Sequence, residues 1–239
     1  MQKMLSKMTA AIEKYQMIDE NDKIAVGISG GKDSIILLML LNELKKFYHK
    51  KFEIMGLTLD PGFPGENSEE ENFIAEYCKK ENIEYIIKQT NIYNIVFETR
   101  KEKNPCSLCA KMRRGILHNT AKEYECNKIA LGHHFDDAVE TFMMNLVFGG
   151  RIKCFSPKSY LSIKEIYQIR PLIFMKEEEI IKSIKKNNIK PIKSKCPIDK
   201  TTKRNEIKEL IEKIEKQYNG LSQKIMNAMQ KDDVSNWKI

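Results

Sequence analysis

The run Lys23-Ile24-Ala25-Val26-Gly27-Ile28-Ser29-Gly30-Gly31-Lys32-Asp33-Ser34, continued by the apolar stretch Ile35 to Leu41, constrains this chain more than any other. It reads as a buried strand, a small-residue turn and an apolar helix. Glycines in the turn let backbone N–H groups converge without obstruction by Cβ atoms. A helix opening at Ser34 adds its unpaired N-terminal amides and the positive end of its dipole. The product is an anion cradle, with Lys32 as a mobile charge and Asp33 as a candidate magnesium ligand. It is not a Walker A loop, which has four residues between its glycines and ends Gly-Lys-Ser/Thr. The competing reading is an ordinary glycine turn that joins a strand to a helix.

The flanking pattern tells how the turn is housed. Residues 4–15 put Leu5, Met8, Ala11, Ile12 and Tyr15 on one stripe, which predicts an amphipathic helix ahead of the first strand. A helix is expected from Ser34 to Tyr48 and a strand from Phe52 to Leu59, ending in the loop Asp60-Pro61-Gly62-Phe63-Pro64-Gly65. A helix from Asn67 to Lys80 carries Glu69, Glu70 and Glu71 in its first turn, where the dipole favours them, and a strand follows from Ile83 to Lys88. Strands alternating with helices predict the α/β class, a mostly parallel sheet with helices on both faces. Such sheets bind ligands at the carboxyl ends of their strands, so Ser29–Ser34 and the Leu59-Asp60 end share one rim.

Later elements are a strand from Asn127 to Leu131, short strands or an excursion within 152–170, and a helix from Glu177 to Lys186 with an acidic start and basic end. A loop from Lys193 to Lys200 precedes a helix from Thr201 to Tyr218, capped by Thr201 or Thr202, and a last helix near Leu221 to Met229 frays into Trp237. The apolar Phe142–Phe148 stretch reads as core. The resulting division is an N-terminal helix (1–22), an α/β domain (23–175) and a basic helical C-terminal extension (176–239).

Two further clusters carry chemistry. Cys106-Ser107-Leu108-Cys109 at a loop-to-helix junction holds two thiols at chelating distance, and a helix N-terminus lowers their pKa. Cys196 stands alone in Lys195-Cys196-Pro197, while Cys78, Cys126 and Cys154 read as small core hydrophobes. Six cysteines in a chain of this kind are not a disulfide framework. A redox pair, a zinc site completed by Cys196 and a fourth ligand, and an iron–sulfur cluster on three thiolates all remain open for Cys106 and Cys109. Gly132-His133-His134-Phe135-Asp136-Asp137 opens the helix after the fourth strand, where Gly132 permits a flat ligand such as adenine to approach and His133, Asp136, Asp137 and Glu140 crowd the rim. Of the net charge of +8, all is carried by residues 182–208, which hold ten Lys/Arg against two Asp/Glu. A basic segment on an otherwise balanced chain suits a polyanion such as nucleic acid. No apolar run reaches membrane-spanning length and residues 1–8 lack a signal-peptide pattern, so the cytosol is the expected location and no membrane partner is expected.

In order, Ser-Gly-Gly-Lys-Asp-Ser, Cys-Ser-Leu-Cys-x-x-x-Arg-Arg-Gly, Gly-His-His-x-Asp-Asp and a later Cys-Pro resemble the tRNA 2-thiocytidine synthetase (TtcA) family of the N-type ATP pyrophosphatases, over roughly residues 20–215. The resemblance implies a Rossmann-like, adenine nucleotide alpha hydrolase-like fold. It implies ATP on Ser29, Gly30, Gly31, Lys32, Asp33 and Ser34, with adenine near Leu59, Gly132 and His133. It implies Mg²⁺ at Asp33 and a [4Fe-4S] cluster on Cys106, Cys109 and Cys196. Lys32, Asp33, Arg113, Asp136 and Asp137 are the implied catalytic set. ATP would adenylate the C2 carbonyl oxygen of an anticodon-loop cytidine in tRNA, and sulfur from a cysteine desulfurase or free sulfide would replace it; a homodimer is also implied. The single Cys196, where many relatives carry a pair, keeps a uridine-thiolating enzyme and a zinc-containing nucleotide-binding RNA partner as alternatives.

Overall fold

The strand that feeds the glycine turn, β1 (Asp22–Ile28), lies inside a six-stranded sheet. On one side are β2 (Phe52–Asp60) and the edge strand β3 (Glu84–Gln89); on the other are β4 (Lys128–Ala130), β6 (Ile166–Ile169) and the edge strand β5 (Lys158–Leu161). All pairings are parallel except β5–β6. This computed structural model describes residues 1–64, 69–101, 105–192, 196 and 203–238, without the side chains of 69–72. The expectations for Gly65, for a helix start at Asn67 with an acidic first turn, for the Lys193–Lys200 loop apart from Cys196, and for a Thr201 or Thr202 cap lie outside the described residues.

The sheet is covered on both faces, as the alternation predicts. Ile24, Val26 and Ile28 pack with α1 (Gln2–Lys14), α2 (Lys32–Lys45) and α5 (Phe135–Gly149), whereas Ala25, Leu57 and Ile129 point the other way onto Ala121 and Leu117 of α4 (Pro105–Glu123). The period-2 alternation of a strand buried on both sides produces this split. The remaining helices are α3 (Glu69–Lys80), α6 (Glu177–Lys186), α7 (Lys203–Gln217) and α8 (Leu221–Lys231). Ile180, Ile207, Ile211, Met226 and Met229 from α6–α8 join the same apolar core as α1 and α2. Among the described residues no helix is long and apolar enough to cross a membrane.

Three local expectations are corrected. Helix α2 opens at Lys32 rather than Ser34, because Gly31 takes the cap position and the Ser34 hydroxyl donates back to its carbonyl at 2.9 Å. The Phe142–Phe148 stretch is not core throughout: Leu146, Val147 and Phe148 are 42–48% exposed, and an ammonium from Lys203, 4.9 Å from the Phe148 ring, replaces apolar cover there. The C-terminal stretch does not fray past α8. Trp237 is fully buried, its indole N–H donates to the Phe155 carbonyl at 2.7 Å, and its own carbonyl accepts from Tyr15 Oη at 2.9 Å. A π-helical turn, Asn94–Thr99, was not expected from the sequence and joins β3 to α4.

Candidate active site

The carboxyl end of β1 runs into the turn Ser29-Gly30-Gly31 and directly into α2. Gly30 has φ +79°, a left-handed conformation open to glycine at little cost, and a Cβ there would meet Ile192 Cδ1 at 2.5 Å. Ile192 N–H donates to the Gly30 carbonyl at 2.9 Å, so Ile192 is laid against the turn. Ser29 N–H donates to Ser34 Oγ at 3.2 Å, which closes the cradle. Gly132, expected to let adenine approach, also has a packing reason for its size. A Cβ at Gly132 would lie 3.0 Å from the Asp33 carbonyl carbon and 3.1 Å from Ser34 N, so glycine lets α2 begin against the end of β4.

A cavity of about 420 Å³ opens above this rim, a size suited to a nucleotide. Ser29, Asp33 and Ser34 form its polar floor, Leu57, Leu59, Leu117 and Leu131 an apolar wall, and Arg113, Arg114, His133, Asp137 and Arg204 the remainder. Of the residues expected from the sequence, Ser29, Asp33, Ser34, Leu59, Arg113, Gly132, His133 and Asp137 therefore face one space. Arg113 arrives there as anticipated, one turn beyond Cys109 on α4.

Lys32 stands at the edge instead. Its ammonium lies 2.9 Å from Glu177 Oε1 and 3.1 Å from Asp33 Oδ2, while Glu177 Oε2 is 2.7 Å from Lys208. Burial alone disfavours the Lys32 charge, but Asp33 and Glu177 outweigh it and raise its pKa. Burial likewise pushes Glu177 up, yet hydrogen bonds from Lys208 and Lys32 hold it down at about 2. Asp33 is raised by burial against the opposing pull of His134 and Lys32, and its Oδ1 is buried with no hydrogen-bond partner.

The two consecutive histidines divide their tasks. His134 caps α5: its N–H donates to Asp137 Oδ2 at 3.0 Å and its Nδ1 accepts from Asp137 N–H at 3.4 Å. His133 lies on the cavity wall 5.0 Å from the Phe155 ring, its Nδ1 buried and unpartnered, and burial aided by Arg170 lowers its pKa to about 4, so it is neutral at pH 7. Asp136 and Asp137, both in the expected catalytic set, lie in different surroundings. Asp136 Oδ2 accepts from the N–H of Glu177 at 2.6 Å and caps α6 outside the cavity, because the i to i+1 step on a helix turns neighbouring side chains about 100° apart. Sequence reasoning missed Arg204 and Glu177 as members of the site and read Glu177 only as part of an acidic helix start.

Cys106 and Cys109 lie in the first turn of α4, the former exposed and the latter half-buried, and Cys196 is half-buried. The Cys109 thiol is raised, against the expected lowering at a helix N-terminus: burial pushes it up, Arg113 pulls it down, and Cys196 and Cys106 push it up again, so both of these lie within electrostatic reach of Cys109. Among the described residues no three His, Cys, Asp or Glu side chains already close on a metal position. Cys78, Cys126 and Cys154 are buried, as expected of core thiols, with burial raising them to about 11, 11 and 12.

An anion turn, an apolar slot and paired thiols on one sheet rim define a nucleotide-activating α/β protein, and a family profile described as a PP-loop domain matches residues 2–214. The curated tRNA-cytidine(32) 2-sulfurtransferases of Geobacter sulfurreducens (35% identical, 92% of this chain and 85% of that one), Dechloromonas aromatica (38%, 92% and 76%) and Aliivibrio fischeri (38%, 96% and 75%) are similar to it over almost its whole length. The chain belongs to this tRNA-cytidine(32) 2-sulfurtransferase family of PP-loop proteins. The solved U34-tRNA thiolase NcsA from Methanococcus maripaludis, determined with its [4Fe-4S] cluster, matches it with a TM-score of 0.78 at 26% identity, covering 95% of this chain and 77% of that one. An NH3-dependent NAD synthetase from Campylobacter jejuni shares the fold alone, with a TM-score of 0.50 at 18% identity over 97% of this chain and 94% of that one.

Proposed function

We propose that this chain is an ATP-dependent tRNA sulfurtransferase that replaces the C2 oxygen of an anticodon-loop cytidine, position 32 in the names of its relatives, with sulfur. The observation that carries the reading is the convergence on one cavity of an anion-binding turn and the α4 turn that follows Cys106 and Cys109. The carbonyl oxygen of cytidine attacks the α-phosphorus of ATP, the bond to the β-phosphate breaks, and its electron pair leaves with pyrophosphate. A sulfur nucleophile then adds at C2, and AMP departs carrying the former carbonyl oxygen. An amide-like carbonyl is a poor electrophile; adenylation converts its oxygen to a good leaving group.

The residues divide this work. Turn amides and Ser29 and Ser34 receive phosphate, and Lys32 leaves Glu177 to meet the charge growing on pyrophosphate. The apolar wall of Leu57, Leu59 and Leu131 accepts adenine, and the neutral His133 offers its unpaired nitrogen without placing a second cation beside Arg113. Arg113 orients the base or its phosphate. Asp137 holds the start of α5 and, with Asp33, supplies carboxylate to the phosphate end.

The buried, unpartnered Asp33 oxygen fits a magnesium ligand, a hard oxygen donor with an open valence on a phosphate site. Two soft sulfur donors, Cys106 and Cys196, within electrostatic reach of a third, Cys109, suit a cluster with one open position, and Cys106, Cys109 and Cys196 would hold it. When bound, such a cluster supplies a metal position at which sulfide is kept for transfer. The charge of the 182–208 segment suits tRNA, and the sulfur comes from a desulfurase or from sulfide in the cytosol.

Nucleoside mass spectrometry of tRNA from a deletion strain tests the reading. Loss of 2-thiocytidine, restored by the gene and not by a Cys109→Ala variant, is expected; unchanged 2-thiocytidine overturns it. Iron, sulfide and zinc analysis of anaerobically purified protein then separates a cluster from zinc.

A further inference from the structure

The cavity is completed from outside the sheet, by Arg204 in the first turn of α7. Its Nη1 stands 2.6 Å from Asp137 Oδ1 and 3.6 Å from Glu140 Oε2, and its Nη2 donates to Thr141 Oγ1 at 3.4 Å. These contacts aim the guanidinium across the first turn of α5 without using it up. Asp137 also accepts from the His134 N–H at 3.0 Å, and Glu140 lies beyond hydrogen-bond range. The Arg204 side chain keeps 42% of its surface open although it is part of the cavity wall. Lys32, the cation of the turn itself, is by contrast already met by Glu177 and Asp33. A line of polar groups runs from Arg204 to the turn: Asp137 Oδ2 is 3.4 Å from His134 Nε2, which is 3.7 Å from Asp33 Oδ1.

We propose that Arg204 is a substrate-contacting residue whose guanidinium takes paired oxygens of the β- and γ-phosphates of ATP and stabilises the departing pyrophosphate. A planar fork with parallel donors matches paired phosphate oxygens where an ammonium meets them only as a point charge. A cation already aimed by Asp137 and Thr141 costs little reorganisation when charge builds. As the α-phosphorus bonds to the cytidine oxygen, the bridging bond breaks and its electrons move onto the pyrophosphate that Arg204 faces. The inference rests on the ATP reading above.

Kinetics and nucleotide binding on the full chain distinguish this role from a staple between α7 and α5. Arg204→Ala is expected to lower kcat/KM for ATP about 100-fold. Lys213→Ala, at an exposed position further along α7 and outside the basic 182–208 segment, should match wild type. Calorimetric affinity for adenosine 5′-(α,β-methylene)triphosphate should fall with the Arg204→Ala rate. Arg204→Lys, which preserves the pairing with Asp137, carries the test if the alanine variant does not fold, and must still lose about tenfold in kcat/KM for ATP. Wild-type ATP kinetics and analogue affinity in a folded Arg204 variant, whatever its unfolding midpoint, overturn the inference. Wild-type protein that does not bind the analogue overturns the ATP reading itself, and the same titration tells the two failures apart.

Discussion

Gly30→Ala is the substitution for which the structure yields the most definite arithmetic. Gly30 sits at φ +79°, and placing an L-residue there costs about 1–2 kcal/mol from the backbone alone. The new Cβ would also lie 2.5 Å from Ile192 Cδ1 and 2.8 Å from Ile192 Cβ, an overpacking of the kind that costs about 1–3 kcal/mol. Ile192 cannot simply withdraw, because its N–H is bonded to the Gly30 carbonyl at 2.9 Å. The combined loss is about 2–5 kcal/mol, which for a chain of this size lowers the thermal midpoint by about 5–15 °C. Ile192→Ala removes the Cδ1 and Cγ1 part of the clash and leaves the Cβ contact and the backbone strain. Urea titrations of wild type, both single variants and the double variant, followed by circular dichroism, read the coupling directly. A coupling of about 1–3 kcal/mol in the double-mutant cycle is expected. Additive effects, or a Gly30→Ala protein as stable as wild type, would refute the reasoning that Ile192 is clamped on the turn.

Three further outcomes are expected. The depressed Glu177 carboxyl, at about 2 against an ordinary 4.5, contributes stability that is fully present above pH 4.5 and lost as the pH falls toward 2. Discounted for partial exposure this is about 1–2 kcal/mol, so Glu177→Gln should be destabilising at pH 7 and nearly neutral at pH 2.5 in chemical unfolding. His133, held neutral with its pKa at about 4, binds a proton only in the unfolded chain between pH 4 and 6.5, so stability falls as pH falls through that window; His133→Gln should flatten the slope by nearly one proton. Lys128, whose buried ammonium lies 2.6 Å from Asp19 and Asp22 and 3.0 Å from the Met17 carbonyl, anchors the opposite pole of the sheet. Lys128→Met should cost about 3–5 kcal/mol by stranding the buried Asp22, and adding Asp22→Asn should recover part of it; a single variant within 1 kcal/mol of wild type would show the pair to be idle.

What the sequence disclosed follows the range over which each signal acts. Strand β1, the glycine turn and α6 were legible because their cues are local: an apolar run, turn residues, and an acidic start facing a basic end. The opening of α2 was misplaced by two residues because the Ser34-to-Gly31 bond belongs to a cap with no side-chain cap of the usual type. Gly-His-His-x-Asp-Asp marked the right rim but did not separate His134, a cap, from His133, a cavity wall, or Asp136 from Asp137, since these roles depend on what α6 and α7 bring. Arg204 and Glu177 were hidden for the same reason. Their partners lie 67 and 145 positions away, and a lysine-rich segment looks the same whether or not one of its cations is aimed. Trp237 read as part of a fraying end because polar neighbours outweigh a lone aromatic in any local window.

That tryptophan has an optical consequence. It is the sole indole of the chain, sealed from water, with its ring 6.2 Å from Phe155, whose opposite contact is the His133 ring at 5.0 Å. One ring, Phe155, therefore separates the fluorophore from the His133 wall of the cavity. Its emission needs no deconvolution from other tryptophans, and any ligand that repositions His133 acts on it through a single intervening aromatic. The protein carries its own spectroscopic gauge of occupancy, free of dyes and labels, that can be read in the same cuvette as its unfolding.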